Sequence, residues 1–144
     1  MSAPIIPFDA VLVTALMDAL RADSGVRAFF GDPPRLFDDE TSRPVFPYAE
    51  FVSAEARDFA SALTPGGEHR ITFAVHVRKG GQAEAAEGLN ILVEAIRDAN
   101  IVLPGARIAL IHPVYLDVVR GIYSKDRRGL LRLRIVTEPE PSND

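Results

Sequence analysis

Residues Glu68 to Ala99, read as EHRITFAVHVRKGGQAEAAEGLNILVEAIRDA, set an alternating strand, a Gly-Gly break and an amphipathic helix in direct succession. Ile71, Phe73, Val75 and Val77 alternate with Thr72, Ala74, His76 and Arg78, a period of two that buries one face and leaves the other partly wet. After Gly80-Gly81 the period becomes helical from about Gln82 to Ala99. Ala86, Leu89, Val93 and Ile96 point inward there, and Glu84, Glu87, Glu94, Arg97 and Asp98 point mostly outward. A one-sided strand that feeds a one-sided helix has to build a sheet with helices laid on it.

The flanking segments extend that plan. Phe8, Val11, Leu12, Ala15, Leu16, Ala19 and Leu20 recur at helical spacing and predict a helix from about Asp9 to Ala22, with Asp9 as N-cap. A short second turn through Val26 to Phe30 ends at Gly31, and Asp32-Pro33-Pro34 forbids its continuation. Leu36-Phe37 predicts a brief strand, and Tyr48 to Asp58 a longer one forming a long hairpin with the next. Ile108, Leu110, Val114, Leu116 and Val118 share one parity in a strand from Ala106 to Val119. Pro113 interrupts it, so a bulge or an edge position is expected. Leu131, Leu133 and Ile135 alternate with Arg132 and Arg134 in the last strand, which pairs back across Gly121 to Gly129.

The predicted fold is therefore α+β, a mainly antiparallel sheet of four to five strands with two main helices packed on one face. At 144 residues the chain fits one domain, residues 1–144, able to bury roughly two thirds of its unfolded surface. Flexible ends are expected at about 1–7 and at 138–144, where EPEPSND is acidic and proline-bearing. One sheet and two helices make a thin core, so association over the other sheet face is expected.

Residue chemistry argues against catalysis. With no cysteine, disulfides, thiolate metal sites and thiol nucleophiles are excluded. His69, His76 and His112 form no HxH or HxxxH pair, and no GxSxG elbow places a serine for acyl transfer. Gly80-Gly81 reads as a tight turn or a phosphate loop, though no GxGxxG or GxxxxGK[ST] follows. Asp38-Asp39-Glu40 is a solvated acidic loop or faces a basic partner. No metal or cofactor is expected. No apolar run reaches the roughly 18 residues of a membrane span, and MSAPIIPFDA lacks a basic leader, so a cytoplasmic protein without membrane contact is expected.

The net charge of −4 opposes general nucleic-acid binding, but charge is unevenly spread. Residues 1–60 carry ten acidic and five basic groups, whereas Arg120, Lys125, Arg127, Arg128, Arg132 and Arg134 crowd a predicted turn beside Asp126 alone. A solvated hairpin tip or incidental phosphate contact, with Tyr123 the single nearby aromatic, fits that stretch.

Five segments, VLVTALMDALRADSGVRAFFG, RPVFPYAEFVSAEARDFASAL, GGEHRITFAVHVRKGGQAEAAEGLNILVEAIRDA, LPGARIALIHPVYLDVVR and GLLRLRIVTE, span about Phe8 to Thr137. Taken in that order, they resemble the tail-terminator (tail-completion) family of long non-contractile-tailed bacteriophages and gene transfer agents. The resemblance implies a structural virion protein. It would form a hexameric ring that caps the head-proximal end of the tail tube, stops tube growth and presents a docking surface to the neck. Implied partners are further copies of the chain, the major tail (tube) protein, neck and head-completion proteins, and non-specifically the transiting DNA, in a particle assembled in the bacterial cytoplasm. Candidate contact residues under this reading are Phe59, Leu63, Thr72, His76, Tyr123, Lys125, Arg127 and Arg128. Another neck or head-completion ring component, or a ferredoxin-like small-molecule-binding module, are the alternatives.

Overall fold

The computed structural model describes residues 8–38, 45–56, 66–78, 81–120 and 127–140. Helix α1 (Phe8–Ala22) buries Phe8, Leu12, Leu16 and Leu20 of the stripe predicted by its spacing, together with Met17, while Val11, Ala15 and Ala19 at the flank of that stripe are only partly buried. Asp9 lies inside the first turn rather than at the cap, and its carboxylate is taken by His69 across the core. Asp23 caps the following α2 (Ser24–Phe30), its carboxylate accepting from the Val26 N–H at 3.0 Å. Gly31, at φ 100°, closes that helix by donating to the Arg27 carbonyl.

Strands β1 (Leu36–Phe37), β2 (Tyr48–Ala56), β3 (Gly67–Val77), β4 (Ala106–Arg120) and β5 (Arg127–Pro139) form one sheet in the order β1-β2-β3-β5-β4. All neighbours are antiparallel except β1 and β2, which run parallel. The predicted α+β class and mostly antiparallel sheet are borne out. Helix α3 (Gly81–Asp98) carries the chain from β3 to β4, which run in the same direction with β5 between them. β5 continues to Pro139, two residues past the expected strand end, and the Arg107 guanidinium donates to Glu138 at 2.7 Å there.

All three helices cover one face of the sheet. α3 settles low on it because two glycines leave room: a Cβ on Gly88 would lie 2.7 Å from Val75 Cγ1, and one on Gly129 would lie 2.8 Å from Leu89 Cγ. The buried stripe of α3 is accordingly Ala85, Gly88, Leu89, Leu92, Val93, Ala95 and Ile96. Ala86, predicted to face inward, is exposed at the flank of that stripe, because the helix rotates to lay Gly88 against the sheet.

Strand β4 departs most from its predicted parity. Register shifts fall between Ile108 and Leu110 and between Pro113 and Tyr115, each inserting one residue. The first shift turns Leu110 away from the helices and brings in Ile111, opposite the buried Ile135. The second restores the original parity, with Leu116 opposite Leu131 and Val118 opposite Gly129. A single-parity reading of this strand cannot hold, because each bulge exchanges the two faces.

Candidate functional site

The sheet face opposite the helices is a lattice of long polar side chains. Register aligns Tyr48, Glu50, Ser53 and Glu55 of β2, Glu68, Arg70, Thr72, Ala74 and His76 of β3, and Arg128, Leu130, Arg132, Arg134 and Val136 of β5 on this side. Neighbouring strands bond across it. Arg134 Nε donates to Glu68 Oε1 at 2.6 Å, Arg132 Nε donates to Thr72 Oγ1 at 3.3 Å, and His76 Nε2 lies 2.8 Å from Glu50 Oε1. The His76 ring stacks on Tyr48 with centroids 4.5 Å apart and an interplanar angle of 14°. Arg132 also lies over the Tyr115 ring, 6.0 Å from its centroid. Those side chains cover Ala74 completely, although no helix lies on this side.

Tyr115 donates to Asp117 Oδ2 at 2.9 Å. That hydrogen bond, reinforced by the negative charge of Asp117, holds the Tyr115 phenol above its ordinary range, while Arg132 opposes the shift. The neutral phenol is thus favoured in the folded chain, and the stability it adds is present below the unfolded pKa and vanishes as pH rises through the folded one. Asp117→Ala is expected to lower the pH at which Tyr115 ionises, read from phenolate absorbance against a Tyr115→Phe control. An unmoved titration would refute this link.

Of the sequence-predicted contact residues, Thr72, His76 and Arg128 share the open face, with His76 opposite Arg128 and Thr72 opposite Arg132. Arg127 has the other parity, opposite Val77 at the end of the sheet. Phe59, Leu63, Tyr123 and Lys125 lie outside the described residues, as do Gly80, Asp39 and Glu40. Arg132 and Arg134, grouped by sequence with a hairpin tip, stand instead in mid-sheet between β3 and β4. Glu50, Glu68 and Tyr115 complete the lattice and were not singled out; strand parity alone would have placed Glu68 beside Thr72 and His76.

On the helix side, His69 is fully buried, bonded through Nδ1 to Asp9 and lying with Nε2 3.4 Å from Thr137 Oγ1. The Asp-His-Thr order has the look of a nucleophilic relay. Thr137 is only 2% exposed, however, so no substrate carbonyl can reach its hydroxyl, and the chain of bonds ties α1 to β3 and β5. The depression at the end of the open face, about 580 Å³, is lined by Glu55, Ala56, Glu68, Arg70 and Arg134. Four charges and a methyl group offer a ligand little apolar surface. Among the described residues no cluster of three or more histidines or carboxylates could hold a metal ion, and no helix is long and apolar enough to cross a membrane.

A surface of cross-bonded side chains suits contact with macromolecules better than chemistry. The model of the family described as "Tail completion protein gp17" matches residues 14–138. The chain belongs to the tail completion protein gp17 family. Its role is therefore a structural one in tail completion. Among solved structures, a chain of the "Virion of native gene transfer agent (GTA) particle" superposes with a TM-score of 0.74 at 23% identity, covering 88% of this chain and 94% of that one. At that identity the likeness establishes a shared fold. No curated protein matches the sequence.

Proposed function

We propose that this protein is a tail terminator: a ring, most simply of six copies, that caps the head-proximal end of the tail tube, stops tube polymerisation and offers the surface on which the neck or head docks. The observation that carries the reading is membership of the tail completion family over residues 14–138. The fold shared with a chain of a gene transfer agent virion supports it. So does the form of the subunit, a single sheet with helices on one side and long open margins, since such a subunit leaves surface to be covered by neighbours. Its partners are further copies of itself, the tube protein and the neck proteins, within a phage-like particle assembled in the bacterial cytoplasm. Arginines of the open face, Arg128 among them, can meet the phosphates of transiting DNA whatever its sequence.

Deletion of the gene is expected to yield tubes of abnormal length or heads and tails left unjoined, seen by negative-stain microscopy of the particles. Restoring the chain in trans should return uniform, joined tails. Particles of normal length and normal joining after a clean deletion would end this reading.

A further inference from the structure

Most arginines among the described residues are held by the chain itself. Arg27 and Arg35 donate to backbone carbonyls, Arg107 and Arg134 to glutamates and Arg132 to Thr72. Arg21, Arg70 and Arg97 lie beside carboxylates. Arg120 and Arg128 are the exceptions: both are exposed, and neither has a hydrogen bond, ion pair or ring contact among the described residues. They stand together. Arg120 is directly opposite Arg127 and Arg128 is opposite Val119, so the two occupy adjacent rows at one end of the sheet. Arg78 follows Val77, which pairs with Arg127 from the other side. Arg78 and Arg127 are themselves engaged, Arg78 over the Phe46 ring at 5.1 Å, but their charges add to this end. The two rows carry no carboxylate. The nearest ones along these strands, Glu50 and Asp117, are occupied by His76 and Tyr115. Arg120 opposite Arg127 is a like-charge pair, which costs a sheet stability unless an anion lies between them.

We propose that this end of the sheet, through Arg120 and Arg128, holds the sugar-phosphate backbone of duplex DNA without reading its sequence. Adjacent strands lie about 4.8 Å apart, so the guanidiniums from β3 to β4 spread over roughly 10 Å. Duplex DNA carries a charge about every 1.7 Å of its axis and can meet them together. Guanidinium forks suit phosphate oxygens, and such contacts position a duplex without reading base edges. The middle of the open face is a poorer place, because Arg132 and Arg134 are already bonded to Thr72 and Glu68. With a net charge of −4 over the whole chain, the contact is local and weak, as suits DNA that has to pass. The inference rests on the tail-terminator reading for the source of the DNA, and it moves the phosphate contact of that reading to the strand ends.

Fluorescence anisotropy of a labelled duplex titrated with the full chain, repeated as salt is raised from about 50 mM to about 200 mM, tests the contact. Arg120→Gln with Arg128→Gln is expected to weaken binding about tenfold and to lower the slope of log affinity against log salt by about 2, whatever the duplex sequence. Arg97→Gln with Arg107→Gln removes the same charge from arginines that already have partners, and should change affinity less than about twofold. Circular dichroism checks that each variant folds. Arg128→Gln alone, at an exposed residue, serves if the first pair does not, with a slope change of about 1. Equal losses from the two pairs would overturn the inference, since net charge alone would then be acting. Failure of the unaltered chain to bind the duplex would also overturn it, and tighter binding of polyglutamate than of DNA would assign this end to an acidic protein instead. None of those results touches the tail-terminator reading, which is judged by tube length and joining: joined, normal-length tails from which the chain is absent would refute that reading.

Discussion

His69→Ala is expected to destabilise the fold by about 3 kcal/mol, the cost typical of emptying a fully buried side-chain site and leaving its hydrogen-bond partners unsatisfied. His69 has no solvent exposure, and both of its ring nitrogens face partners, Asp9 on α1 and Thr137 on β5. Alanine leaves the Asp9 carboxylate, with only 18% of its side chain exposed, facing an apolar gap beside Phe8, whose ring sits 5.5 Å from the imidazole. It also leaves the Thr137 hydroxyl unpartnered and opens a void in the core. Thr137→Val removes only the longer of the two contacts and should cost about 1 kcal/mol. Urea unfolding followed by circular dichroism measures both, as midpoint shifts at unchanged slope. A loss below about 1 kcal/mol for His69→Ala would show that the imidazole is not the tie between α1 and the sheet.

The second large effect is expected at Gly88. An added Cβ would stand 2.7 Å from Val75 Cγ1, closer than real contacts allow, and a tight 3.1 Å from Phe29 Cε1. Val75 is β-branched on a central strand and fully buried, so it cannot swing aside, and the helix has to lift instead. Alanine normally improves a helix interior by about 1 kcal/mol over glycine. Overpacking of this kind costs about 1–3 kcal/mol, so Gly88→Ala should be net destabilising and Gly88→Val more so. Val75→Ala made together with Gly88→Ala should recover part of the loss, a non-additivity expected only of touching residues. A stabilised Gly88→Ala protein, or strict additivity of the pair, would mean that α3 does not sit directly on β3 at this point.

These two sites show how far the sequence can be read. The parity of β3 puts His69 on the face of Ile71 and Phe73, so its burial follows from the alternation. Its partner does not, because Asp9 is distant in the chain and reads locally as a helix cap. Gly88 falls within a correctly placed helix, but only the height of α3 over Val75 shows why a side chain is unwelcome there. Likewise Pro113 signals that β4 is irregular, whereas the position and number of its bulges depend on which β5 residue each β4 residue meets. Arg132 and Arg134 look like members of a basic turn when read along the chain. Strand pairing moves them to mid-sheet, beside Thr72 and Glu68.

Hydrophobic periodicity, together with the Gly and Pro breaks, determined the helices, the long strands and the α+β class, because those signals act within a few residues and need no partner. The tail-completion family was legible only through the resemblance of five segments in their order, since periodicity by itself gives a fold class and no role. Only the tertiary structure decided the parallel pairing of β1 with β2, the insertion of β5 between β3 and β4, and the tie from His69 to Asp9 and Thr137. It also showed which side chains of the open face bond between strands, Arg134 to Glu68, Arg132 to Thr72 and His76 to Glu50, and that the exposed large apolar side chains among the described residues lie toward the sheet margins. Each of these depends on contacts between residues far apart in sequence, where local propensity says nothing and the packing of the whole sheet sets the outcome.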